Sequence, residues 1–147
     1  MILAVLDTNV LASGATHPKG ASGQLVLAWR RRAFQLATSE HILAELTETL
    51  EDRYFKKRLS HQQRQLAVSR LRRQAQLTEI TAHVVGVAPS TKDDLVLATA
   101  VSAGATYLVN GDEKFLKVAM YHDVQILTPA AFLTVLRGAP RSAPIVN

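Results

Sequence analysis

Leu3-Ala4-Val5-Leu6-Asp7-Thr8-Asn9 is the stretch on which the fold turns. Leu3–Leu6 is short and wholly apolar, and the loop-forming triplet Asp-Thr-Asn ends it, so it reads as a buried strand. Outward from it, Phe34–Ala37, Val84–Val87, Thr106–Val109 and Val124–Leu127 read as four further strands. Between them lie helix-like stretches. Gln24–Arg32 follows a loop at His17–Gly23, and Glu40–Asp52 has Ser39 as its N-cap. Ser60-His61-Gln62-Gln63 fits a capping box and opens a polar helix to about Leu77. Thr91–Ala103 is closed by Gly104, and Glu113–Val118 is short. The last helix starts at Thr128-Pro129 and ends at Gly138. Strands alternating with helices predict a three-layer α/β/α domain over residues 1–138, with a central, mostly parallel sheet of about five strands. Residues 139–147 carry two prolines and read as a loose tail.

Composition narrows the class. The chain has 147 residues, 48% of them hydrophobic, which suits one domain with a real core. No apolar run reaches the length of a membrane span, and the N-terminus has no basic region or cleavage site of a signal peptide. With no cysteine there is no disulfide framework and no thiolate zinc site, so a cytoplasmic setting is the expectation. Net charge is +5. Excess basic charge around an acidic pocket suits a polyanionic substrate, although solvated basic faces are also common.

Four acids stand where predicted strands end or helices begin. Asp7 follows the first strand, and alone it reads as an Asx-turn. Among Glu40, Glu45 and Glu48, helical geometry ranks the candidates. Measured from the apolar face of Ile42, Leu43, Leu46 and Leu50, Glu48 lies roughly 175° away, in water. Glu40 and Glu45 lie on opposite borders, at roughly 105° and 115°. Glu40 has competing work at the helix end, so Glu45 is the better candidate, though a solvated glutamate fits the geometry as well. Asp93 fits a capping box with Ser90, and Asp94 fits one with Thr91. The helix that follows them is apolar nearly all round, so these acids stand at the rim of a core, where charge is costly unless paired or metal-bound. Asp112, after Asn110-Gly111, caps the short helix behind it. Carboxylates gathered in this way would repel one another unless a hard cation such as Mg²⁺ sat among them.

In this order and spacing the chain resembles the PIN-domain ribonucleases, particularly the VapC-like toxin branch. Residues 2–136 carry the resemblance. Its motifs are Leu6-Asp7-Thr8-Asn9-Val10-Leu11, Ser39-Glu40-His41-Ile42-Leu43-Ala44-Glu45-Leu46, Asp93-Asp94-Leu95-Val96-Leu97-Ala98, and Asn110-Gly111-Asp112 with Phe115-Leu116. The resemblance implies Asp7, Glu45, Asp93 and Asp112 as a catalytic, metal-binding quartet for Mg²⁺ or Mn²⁺. It gives Asn9 an orienting role beside the first ligand. Asn110 departs from the Thr or Ser usual there, an extra acid near Ser90 is missing, and Asp94 could share or replace the role of Asp93.

The activity implied is hydrolysis of RNA to 5′-phosphate and 3′-hydroxyl ends, by the toxin of a toxin–antitoxin pair. An antitoxin protein and a possible homodimer are the implied partners. RNA grip falls to Arg30, Arg31, Arg32, Arg53, Lys56, Lys57, Arg58, Arg64, Arg70, Arg72 and Arg73, or the polar helix merely solvates a face. Its arginines are expected to have no structural duty. His17, His41, His61, His83 and His122 read as surface or partly buried structural residues. Two rivals remain. A receiver-type or phosphohydrolase α/β domain lacks its phosphoacceptor Asp after Val84–Val87, and Asn9 breaks the dehalogenase Asp-x-Asp pattern. A catalytically inactive RNA- or protein-binding module is disfavoured by the intact quartet.

Overall fold

β1, Leu3–Leu6, runs through the middle of the sheet, and its Ala4, Val5 and Leu6 are fully buried. A strand covered on both faces has no polar side to show, which is why its sequence is continuously apolar. The computed structural model describes residues 1–138; the predicted tail at 139–147 lies outside the described residues. β1 leads into α1 (Thr8–Thr16) and α2 (Ala21–Arg30), then β2 (Gln35–Thr38). Next come α3 (Glu40–Leu50), α4 (Arg53–Lys56), α5 (His61–Gln74) and β3 (Gln76–Leu77). α6 (Thr91–Ala103), β4 (Tyr107–Val109), α7 (Glu113–Leu116), β5 (Met120–Tyr121), β6 (Val124–Leu127) and α8 (Pro129–Gly138) complete the described residues.

The sheet has six strands in the order β3-β2-β1-β4-β6-β5, all parallel except the β5–β6 pair. Right-handed crossovers place α1 to α5, laid down as the chain moves outward from β1 to β3, on one face. They place α6, laid down on the return to β4, on the other. α6 crosses β1, β2 and β4. It buries Val96, Leu97, Ala98, Thr99 and Ala100 in succession, so it has no solvent face there. Gly104 closes it at φ +71°, a left-handed turn in which glycine carries no Cβ penalty. α1 and α2 pack closely at Gly14, where an added Cβ would meet Val26 Cγ2 at 2.6 Å and the Ser22 carbonyl oxygen at 2.9 Å.

Several expectations are corrected. Val84–Val87 is not a strand. The third parallel strand is Gln76–Leu77, so the polar helix ends at Gln74 instead of Leu77. The apolar pattern at 84–87 serves a different purpose: Val84 is buried, while the backbone N–H groups of Gly86, Val87 and Ala88 turn inward to a carboxylate. α1, α4 and β5 add to the elements expected from sequence. Asp7 alone is the N-cap of α1, and Thr8 and Asn9 already belong to that helix instead of to the loop read from the triplet. The capping box of Ser60 and Gln63 is present in both directions, and Thr128 caps α8 through Ala131 N–H at 3.1 Å.

Candidate active site

β1 and β4 lie side by side with Leu6 opposite Val109. From β1 the chain moves outward through β2 and β3; from β4 it moves the other way to β6. Connections leaving the two central strands therefore diverge and open a crevice at their carboxyl ends. Asp7 leaves β1 at that point, tied to β4 by its N–H, which donates to the Val109 carbonyl at 3.0 Å. Asn110 and Asp112 leave β4 beside it.

Asp7 is the N-cap of α1 but makes no side-chain cap bond, and it is only 6% exposed. Burial is the main reason its carboxyl is pushed up to about 6; the Thr8 and Asn9 backbone N–H groups pull the other way, and the charges of Asp93 and Glu45 push it higher. Glu45 projects from the second turn of α3. Its Oε1 accepts from Thr8 Oγ1 at 3.2 Å and lies 3.3 Å from His41 Nε2. Glu40 and Glu48 are exposed, and Glu40 pairs with Arg72 at 2.7 Å. Of the three, only Glu45 is half-buried, against Thr8 and His41.

Asp93 lies in the first turn of α6, half-buried, with its N–H donating to Ser90 Oγ at 3.1 Å. Burial raises its carboxyl above the usual range; Ser90 opposes that, Asp112 and Asp94 add to it, and His41 lowers it. Asp112 is exposed and caps α7, its Oδ1 accepting from Lys114 N–H at 3.1 Å. These mutual effects link Glu45 to Asp7, Asp7 to Asp93, and Asp93 to Asp112.

Asp94 faces away from this chain of charges. Its Oδ2 accepts from Gly86 N–H at 2.9 Å, and its Oδ1 from Val87 and Ala88 N–H at 3.1 and 2.8 Å. Burial pushes its carboxyl up, but the three N–H donors outweigh that and hold it below the usual value. A carboxylate so committed anchors the loop at residues 86–88. Asn110 is 1% exposed; its Oδ1 accepts from Asp112 N–H at 2.6 Å while its Nδ2 has no partner. It shapes the turn that presents Asp112. Asn9 stands exposed on the first turn of α1.

Among the described residues, no three His, Asp or Glu side chains already converge as a closed metal cage. The chemistry of the donor set nevertheless fits a hard divalent cation. Its acids offer oxygen only, and the buried Asp7 anion has just the Thr8 and Asn9 N–H groups to set against its burial and the neighbouring acids.

The basic residues sort differently from expectation. Arg64 is structural: it is mostly buried, its Nη1 donates to the Leu59 carbonyl at 2.7 Å, and its Nε lies 3.5 Å from Glu51. Lys56 shares Glu51 at 3.3 Å, and Arg72 is paired with Glu40. Arg58 lies 3.7 Å over the Tyr54 ring, and Arg73 Nε donates to the Ser69 carbonyl at 3.3 Å. Arg30, Arg31, Arg32, Arg53 and Lys57 are exposed, and Arg70 is half-buried. Sequence reasoning missed two residues at the acids, Thr8 and His41. Both had a signal: Thr8 adjoins Asp7, and His41 lies four residues before Glu45, on the same helix face.

A doubly wound sheet whose two central strands end in Asp7 and in Asn110–Asp112 at the switch point defines the class. The family signature of the PIN domain matches residues 4–114, and the chain belongs to the PIN-domain family. Two solved structures share its fold. One is VapBC2 from Rickettsia felis, described as bound to a DNA fragment from its promoter. It has a TM-score of 0.56 and 17% identity, covering 85% of this chain and 97% of that one. The other is Mycobacterium tuberculosis VapC20, described as a sarcin-ricin loop cleaving toxin. It has a TM-score of 0.56 and 18% identity, covering 83% and 98%. No curated protein matches the chain. Among the described residues, no helix is long and apolar enough to cross a membrane.

Proposed function

We propose that this chain is an endoribonuclease that hydrolyses RNA phosphodiesters with the help of Mg²⁺ or Mn²⁺. In this reading Asp7, Glu45, Asp93 and Asp112 hold the cation. The observation that carries it is the buried Asp7 at the switch point, destabilised as an anion and electrostatically coupled to Glu45 and Asp93. When bound, a divalent cation makes a water more acidic and stabilises the charge that develops on the phosphoryl and leaving oxygens.

The chain's own residues supply position. Asp7 is fixed by the β1–β4 hydrogen bond. Glu45 is held on one oxygen by Thr8. Asp93 is set in the first turn of α6, where its N–H is tied to Ser90 Oγ. Asp112 stands at the exposed rim, where a polyanion arrives. Arg30, Arg31 and Arg32 are exposed cations that precede β2 at the opposite end of the sheet from Asp7, so they reach only RNA that extends past the acids. The same proposal makes the protein the toxin of a toxin–antitoxin pair that acts in the cytoplasm, neutralised by an antitoxin protein and able to form a homodimer. It rests on the family and on what the two solved relatives are described as doing.

The test is cleavage of a mixed RNA pool by purified protein with Mg²⁺, with Mn²⁺ and with excess chelator. Asp93→Asn and Asp112→Asn should abolish cleavage while the circular-dichroism spectrum is unchanged, and Glu48→Gln should cut at the native rate. Equal cleavage in chelator, or by folded Asp93→Asn, refutes the reading.

A further inference from the structure

His41 lies at the second position of α3, and Lys92 at the second position of α6. Ser39, the N-cap of α3, is also tied to the middle of α6 by a buried Ser39–Thr99 hydroxyl pair at 2.8 Å. One imidazole nitrogen makes two contacts: His41 Nε2 is 3.0 Å from the Lys92 carbonyl oxygen and 3.3 Å from Glu45 Oε1. A carbonyl only accepts, so Nε2 carries the hydrogen and donates it to Lys92, while Glu45 Oε1 stands beside it at 3.3 Å. A neutral ring does this as well as a charged one.

The two oxygens belong to the two helices that bear site acids. Glu45 is held directly, one turn above His41. Asp93 is held through its own peptide bond, because the Lys92 carbonyl is the group joined to Asp93 N. Thr8 and His41 both engage Oε1 of Glu45 and neither engages Oε2. That leaves Oε2 presented, with the side chain's torsions restrained from two sides.

We propose that His41 is a positioning residue that sets the spacing between Glu45 and the Asp93 end of α6, and through it the affinity of the acids for a divalent cation. The inference rests on the metal-dependent reading above. Removing a residue that orients metal ligands typically weakens metal binding about 10–100-fold. A plain interhelical staple would lower thermal stability and leave cation affinity alone.

Side-chain reach supplies the discriminating variants. Glutamine places its amide nitrogen four bonds from Cα, as histidine places Nε2; asparagine stops one bond short. The full chain is titrated with Mn²⁺ by calorimetry, and the melting temperature of each metal-free protein is measured beside it. His41→Ala and His41→Asn should raise the Mn²⁺ Kd about 10–100-fold, and His41→Gln should stay within a few-fold of the native chain. RNA cleavage by His41→Asn should be lost at low Mn²⁺ and recover at saturating Mn²⁺. If His41→Ala does not fold, the contrast between Asn and Gln decides. Native Mn²⁺ affinity in folded His41→Ala or His41→Asn overturns the inference, whatever happens to the melting temperature. So does a Gln variant as weak as Asn. The native chain and Asp93→Asn are titrated alongside: a native chain that binds no Mn²⁺ refutes the proposed function and this inference with it. Native binding that is lost only in Asp93→Asn leaves the function standing and refutes the role of His41.

Discussion

Asp7→Asn separates the electrostatic state of the site from its catalysis. In the metal-free protein the Asp7 carboxyl rises from its ordinary 3.8 to about 6. The native fold therefore holds this proton more tightly than the unfolded chain does. Stability from this group is fully present below about 3.8 and is lost as pH climbs through 6. At 1.36 kcal/mol for each tenfold change in proton affinity, the loss is about 3 kcal/mol above pH 7. Asparagine keeps the size and removes the charge. Its buried amide needs a partner, which costs about 1 kcal/mol. The variant should thus be more stable than the native chain by about 2 kcal/mol at pH 7.5, or roughly 4–8 °C in melting temperature. At pH 4 the advantage should vanish, because the native carboxyl is then protonated. The assay is urea unfolding in chelator at both pH values, with Mn²⁺ added in a third series. Mn²⁺ should stabilise the native chain by mass action and leave Asp7→Asn nearly unmoved. A variant less stable than the native chain at pH 7.5, or a difference independent of pH, refutes the buried-charge reasoning.

Asp94→Ala should cost about 2–3 kcal/mol by leaving the Gly86, Val87 and Ala88 N–H groups without their acceptor, measured by urea unfolding at pH 7. That deficit should shrink in acid, since Asp94 is held below 3.8 and its contribution is lost as pH falls through the folded value. Arg64→Gln should also destabilise, by about 1–3 kcal/mol, because it leaves the Leu59 carbonyl without its donor; Glu51 keeps Lys56. Replacing Arg30, Arg31 and Arg32 by Gln should reduce the salt slope of RNA binding by about 0.7 for each phosphate that is no longer neutralised. Unchanged affinity and slope would leave those residues as a solvated face. Gly14→Val should lower the melting temperature by prising α1 from α2, and a native melting temperature would show that Val26 yields without cost.

Much of this protein was legible along the chain because local chemistry dictates local structure. The apolar run Leu3–Leu6 could only be a strand buried on both faces. The all-round apolar α6, its closing Gly104 and the Ser60–Gln63 box fix helices by burial and by satisfaction of their free ends. The 3.6-residue period alone favoured Glu45 over Glu48, and the alternation of elements gave the sheet. What one sequence could not rank were groups with equal local claims. Val84–Val87 is as apolar as a strand, yet Gln76–Leu77 takes the place beside β2, while the loop commits its N–H groups to Asp94. Asp93 and Asp94 both suit a first helical turn, and only the loop folded back over α6 decides which one is already occupied. Arg64 looked solvated until Glu51 and the Leu59 carbonyl were seen around it. His41 lies within the Ser39–Leu46 motif, yet its meeting with Lys92, 51 residues away, depends on how two helix starts dock. Capping and periodicity are set by neighbours within a turn or two, so sequence contains them. Pairings across tens of residues are set by which faces pack, and only the folded chain brings those faces together.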